Sequence, residues 1–151
     1  MPPNGAASLS VSGHEQPNSP IIPAFISAYS GARLNEVCQL NVSDIEKVDG
    51  IWAINLNADC EDKSIKTQAG NRLVPLHAKI LKLGFLDYVD QIRNEKQQKL
   101  FPNLKKMAGA GFGTRISHWF ARYLKKLGIK KKGKNFHSFR HTVVNKLTSQ
   151  K

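Results

Sequence analysis

Four basic side chains stand out by context, and two of them, His137 and Arg140, are placed to grip one anionic ligand together. His137 and Arg140 stand at i and i+3 in a segment where Phe139, Val143 and Leu147 recur at helical spacing, so the two polar groups share a face opposite that stripe. An arginine offers a planar fork to two phosphate oxygens, and a histidine donates a hydrogen bond or moves a proton near neutral pH. A helix N-terminus adds its own attraction for anions. Arg33 falls at a corner between two helical patterns, and Lys66 stands beside a turn. By themselves His137 and Arg140 also fit a plainer assignment, a helix cap and a surface ion pair. His137 and His141 are four apart, as zinc ligands can be, but neither the following glutamate nor a third ligand is present, and no metal site is expected.

The elements that must position these groups follow from periodicity. Residues 1–20 are dominated by Pro, Gly, Ser and Asn, which predicts a disordered leader. Ile22, Phe25, Ile26 and Tyr29 then fall at helical spacing until Gly31, and Leu34, Val37, Cys38 and Leu40 suggest a second short helix. Segments 45–48 and 51–56 flank Asp49-Gly50, the strongest short hairpin signal. A polar loop over 57–63 follows. Segments 64–67 and 72–76, around Gln68-Ala69-Gly70-Asn71, predict a second hairpin with Lys66 near its turn.

The remainder reads as helices. Ile80 to Ile92 form one or two amphipathic segments broken at Gly84, and Ile116, Trp119, Phe120, Tyr123, Leu124 and Leu127 make an unbroken i, i+3, i+4, i+7 stripe stopped by Gly128. The stretch 109–114 looks like a phosphate-cradling loop but lacks the Gly-Lys-Ser/Thr ending and a preceding strand. It is expected to be a flexible connector. The fold class is α+β, mainly helical with a small three-stranded antiparallel sheet.

Charge is unevenly placed. The 151 residues carry 23 Lys+Arg against 11 Asp+Glu, a net +12. Residues 1–100 hold ten basic and eleven acidic side chains, whereas 101–151 hold thirteen basic and none acidic. That asymmetry points to a polyanion such as nucleic acid or an anionic membrane surface, the alternative being a solvated lysine face. A hydrophobic content of 40% with mean hydropathy −0.38 excludes a membrane protein and a disordered acidic tail. Cys38 and Cys60 are too few for a disulfide framework and are expected as reduced thiols. No Lys or Arg precedes Arg33, and no apolar run of signal length occurs, so a cytosolic protein is expected.

The motifs in order bear a resemblance. Ser30-Gly31-Ala32-Arg33-Leu34-Asn35-Glu36-Val37-Cys38-Gln39-Leu40 resembles the first box of the tyrosine recombinases, the phage integrase family, where a small-residue turn presents an arginine and a glutamate three residues later supports the site. Ile65-Lys66-Thr67 and Arg72-Leu73-Val74-Pro75-Leu76-His77 resemble the family's hairpin lysine and the strand after it. Phe136-His137-Ser138-Phe139-Arg140-His141-Thr142 resembles the second box.

The resemblance implies a tyrosine-recombinase catalytic-domain fold over roughly residues 21–151 and site-specific breakage and rejoining of double-stranded DNA in the bacterial cytoplasm, on the nucleoid. In such enzymes a tyrosine oxygen bonds to phosphorus as the 5′ oxygen leaves with a proton from an acid. The developing charge must be stabilised meanwhile. By this resemblance Arg33 and Arg140 clamp non-bridging oxygens, Lys66 is the acid, His137 assists proton transfer, and Glu36 and His141 support. No cofactor or metal is implied, nor any membrane; other recombinase protomers are. The family's nucleophilic tyrosine lies further past the second box than Lys151, and Tyr29, Tyr88 and Tyr123 fit packing positions. A partial catalytic domain without complete cleavage activity is therefore expected, with a non-catalytic DNA-binding remnant as the alternative.

Overall fold

The computed structural model describes residues 20–59, 61, 63–65 and 70–128, with the single positions 138, 141 and 145. The expected leader up to residue 19, Cys60, Lys66, the lysine run 130–134, His137, Arg140 and the stripe Phe139, Val143, Leu147 lie outside the described residues.

Helix α1 (Ile21–Ser30) buries Ile22 and Ile26 and tolerates Pro23 because the first turn has no intrahelical N–H bond to lose. It ends at Gly31, whose φ of 71° permits the left-handed cap, with its N–H bonded to Ser27 O at 3.0 Å. Helix α2 (Leu34–Cys38) has only 5 residues, too short to be stable alone. It is held from two sides. Val37 packs into the main core with Ile26, Ile54, Tyr88 and Ile92, while Leu34 and Cys38 join a second cluster with Phe112, Ile116, Phe120 and Leu124.

A 3-10 turn, Val42–Asp44, leads into strands β1 (Ile45–Val48) and β2 (Ile51–Leu56). The connecting Asp49 and Gly50 have φ of 49° and 81°, the paired left-handed conformation of a two-residue hairpin that matches strand twist. Strand β3 (Arg72–Pro75) pairs antiparallel with β2, Ile54 facing Val74 and Leu56 facing Arg72, giving a three-stranded sheet in the order β1-β2-β3.

Of the expected second hairpin, Ser64 and Ile65 lie in no strand, residues 66–69 lie outside the described residues, and the second arm is β3, paired with β2. Two interactions remove residues 63 and 64 from strand pairing. Lys63 Nζ reaches inward to Asp44 Oδ2 and Asn57 Oδ1, both at 2.7 Å, and the Gln39 amide holds Ser64 N and Ser64 O, both at 3.0 Å. The loop expected to be merely polar thus ends in a buried network.

Helices α3 (Ala78–Lys82) and α4 (Phe85–Asn94) are separated by Gly84 at φ 84°, and α4 buries Phe85, Tyr88, Val89 and Ile92 at the i, i+3, i+4, i+7 positions. Helix α5 (Thr114–Lys126) buries Ile116, Phe120 and Leu124. Its stripe is wider than the surface it covers among the described residues. Tyr123 and Leu127 are exposed, and Trp119 and Tyr123 stack on each other at 5.3 Å. No helix among the described residues is long and apolar enough to cross a membrane.

Candidate functional site

The corner that carries Arg33 is built by short-range hydrogen bonds. Ser27 Oγ donates to Ala32 O at 2.8 Å, and Ser30 Oγ accepts from Ala32 N at 3.1 Å, which fixes the chain after the left-handed Gly31. Arg33, extended at φ −67° and ψ 145°, is the N-cap of α2. Its N–H donates to Glu36 Oε2 at 2.8 Å, the acidic half of a capping box, so one carboxylate both starts the helix and holds the arginine.

Every polar side chain of α2 and its C-cap fastens a different segment. Glu36 is 3% exposed and accepts from Arg33 Nη1 at 3.3 Å and from Arg72 Nη2, on β3, at 3.1 Å. Arg72 Nη1 also donates to Gly70 O at 2.9 Å. Gln39 grips the backbone of Ser64 in a two-point contact. Asn35 Oδ1 accepts from Phe112 N at 2.7 Å and from Gly113 N at 3.3 Å.

The last contact corrects the expectation for residues 109–114. They form a pinned turn, closed by Met107 N to Gly111 O at 3.0 Å, and not a loose connector. Gly111 is obligatory there twice over, because its φ is +80° and a Cβ would run into Asn35 Oδ1.

These pins leave a cleft of about 880 Å³, lined by Arg33, Asn35, Glu36, Ser64 and Ile65 on one side and by residues 106–111 on the other. The Arg33 side chain is 30% exposed in it. Two of the candidate residues, Arg33 and Glu36, are thus brought together. His141 is helical and exposed, as is Asn145. Lys66, His137 and Arg140 fall outside the described residues, although Ile65, next to Lys66, is part of the cleft wall.

Sequence reasoning assigned no role to Asn35, Gln39, Arg72 or Lys106. A signal existed for the first two, since a five-residue helix with apolar Leu34, Val37 and Cys38 must turn its polar groups to another face.

None of the three tyrosines lines the cleft. Tyr88 is buried, its hydroxyl donating to Leu100 O at 2.8 Å, and burial together with the Glu95 charge raises its pKa well above the usual phenol range. Tyr29 packs on Phe25 and on the His77 ring at 4.9 Å. Tyr123 lies with Phe25, Tyr29 and Trp119 along an apolar groove of about 360 Å³ between α1 and α5, whose lining contains no charged residue.

Comparison with known proteins identifies the family. A family model described as the phage integrase family covers residues 24–151. The chain belongs to the phage integrase family. Its fold also matches a crystal structure described as the XerH site-specific recombinase bound to difH substrate in a pre-cleavage complex, with a TM-score of 0.62 and 18% identity over 97% of this chain. At that identity the likeness concerns the fold, and this integrase-family chain spans 40% of the recombinase chain's length. No curated protein matches the sequence significantly. The family match begins in α1 and takes in α2, the sheet and both walls of the cleft.

Proposed function

We propose that this chain supplies the phosphate-binding part of a site-specific DNA recombinase, with the cleft beside α2 receiving one phosphodiester of double-stranded DNA. The observation that carries the reading is Arg33, seated at the lip of the cleft by a buried carboxylate that fixes its backbone and its guanidinium at once. Preorganised donors of this kind stabilise charge as it develops without rearranging at the moment of reaction. In the proposed site Arg33 and Arg140 contact the non-bridging oxygens, Lys66 protonates the leaving 5′ oxygen, His137 assists that transfer, and Glu36 and His141 hold the others in place. The attacking tyrosine comes from outside these 151 residues, since Tyr29, Tyr88 and Tyr123 all lie away from the cleft. Partner protomers of the full recombinase are part of the proposal.

A nicked suicide DNA substrate tests it. The expected result is specific binding with no covalent adduct from this chain alone; an adduct mapped to Tyr29, Tyr88 or Tyr123 overturns the assignment. A second reading, a non-catalytic DNA-binding module, is favoured by α5, whose Arg115, His118, Arg122, Lys125 and Lys126 are all exposed in a region without acidic residues. Under that reading affinity falls with a slope of about −0.9 per phosphate contacted in log–log salt titrations, and Arg33→Ala changes nothing.

A further inference from the structure

Glu36 and its two arginines contain a charge imbalance that the capping role of Glu36 does not explain. Glu36 Oε2 is well occupied, accepting from Arg33 N at 2.8 Å and from Arg72 Nη2 at 3.1 Å, whereas Oε1 has a single, long contact to Arg33 Nη1 at 3.3 Å among the described residues. The Arg72 fork is spent within the protein on Glu36 and on Gly70 O, and Arg72 does not line the cleft. Arg33 does line it. Among the described residues one buried carboxylate thus faces two guanidinium ions, leaving a surplus of one positive charge.

We infer that Arg72 is a positioning residue that works by charge balance: by neutralising Glu36 it keeps Arg33 electrostatically available to a phosphodiester. Without Arg72, Glu36 and Arg33 form a closed pair of net charge zero, and an incoming phosphate must compete with a desolvated carboxylate for the same guanidinium. With Arg72 present, Glu36 is satisfied from the sheet side and still caps α2. The Arg33 contact is the weakest of the set and the one turned toward the cleft, so it is the one a phosphate can replace. This inference rests on the proposed phosphate site and adds a residue that touches no substrate.

Charge balance imposes an ordering on the variants that a purely structural staple does not. Dimethyl phosphate, a phosphodiester monoanion without bases, would be titrated into the full chain and its dissociation constant read from the Arg33 Nε–Hε resonance, identified by its loss in Arg33→Ala. Arg72→Met should weaken binding by about tenfold, the order expected for removing one charge near the site. Glu36→Gln, which retains the side-chain acceptor that caps α2, should bind more tightly than the native chain. The double variant Glu36→Gln/Arg72→Met should return close to native affinity, because both have a net charge of +1 in the cluster. If Arg72 is only a staple, Glu36→Gln binds more weakly than native and the double variant is the weakest of all, and the inference is overturned. Should Arg72→Met fail to fold, Glu36→Gln alone decides the matter by the direction of its change. Failure of the underlying site is separable, since it shows as an Arg33 Nε–Hε resonance that dimethyl phosphate leaves unmoved in the native chain, before any variant is compared.

Discussion

Two carboxylates lie buried eight residues apart, Glu36 at 3% and Asp44 at 5% exposure, and their charges are matched in opposite ways. Asp44 meets one cation. Lys63 Nζ sits 2.7 Å from Asp44 Oδ2 with its side chain 2% exposed, Asn57 donates to Asp44 Oδ1 at 3.0 Å, and Asn41 N donates to Oδ2 at 2.7 Å. Glu36 meets two cations, each keeping about a third of its side chain in solvent, at 30% and 33%. The first arrangement is closed, with charge neutralised and lone pairs occupied, so it serves to tie Asn57 and Lys63 to the 3-10 turn that leads into β1. The second is open, with a positive surplus beside a cleft. A buried carboxylate therefore serves as a latch or as the seat of a binding site according to how many cations share it and whether they reach water.

Breaking the closed pair should have the largest effect on stability. Lys63→Ala strands Asp44 and Asn57 and should cost about 3–5 kcal/mol, read as a drop in urea midpoint, while Lys63→Met with Asp44→Asn should recover much of it. A loss near zero for Lys63→Ala would show that the latch is not sealed. Gly111→Ala attacks the cleft wall through its positive φ and the collision with Asn35, and a loss of about 1–3 kcal/mol in thermal unfolding is expected. Arg33→Ala is the counterpart to Lys63→Ala on the open side. Stability should change by less than about 1 kcal/mol, as for a partly exposed pair. Its effect should appear in DNA binding, as lower affinity with a log–log salt slope shallower by about 0.9.

The last effect is absent at neutral pH, appears only in alkali, and concerns a thiol buried in its neutral form. Burial pushes the Cys38 thiol up to about 12 from an ordinary value of 9.0. The folded chain thus holds that proton more tightly than the unfolded chain. The associated stability is fully present below about pH 9 and is lost as pH rises toward 12. Tyr88, raised by burial and by Glu95, acts in the same direction at still higher pH. Urea midpoints from pH 8 to 11 should fall for the native chain and fall less steeply for Cys38→Ala.

Much of the architecture was legible from local pattern. The hairpin at Asp49-Gly50, the break at Gly84 and the buried stripe of α4 each depend on neighbours within four residues, and the structure follows them. Arg33 was placed at a helix corner by the same local pattern, whereas Glu36 was singled out only by the resemblance; the structure pairs the two at i and i+3 across a helix start. What misled were segments whose fate is set at a distance. Residues 64 and 65 have a strand-like composition, but Gln39, 25 positions earlier, captures Ser64. The glycine-rich stretch looks flexible in sequence, yet Asn35 pins it from 77 positions away. Tyr123 continues a faultless apolar stripe, yet among the described residues it stays exposed while Ile116, Phe120 and Leu124 are buried with residues of α2 and Phe112.

Composition and spacing by themselves determined the α+β class, the basic C-terminal third and the presence of Arg33 at a helix corner, and the resemblance of its motifs to the phage integrase family added Glu36 as that corner's support. Tertiary structure alone decided which other groups reach that corner. Arg72 meets Glu36 across 36 residues, and Lys63 meets Asp44 across 19. The physical reason is that helix and hairpin geometry fixes contacts between near neighbours, whereas the pairing of a buried charge depends on which side chains the packed sheet and helices bring within about 3 Å of it.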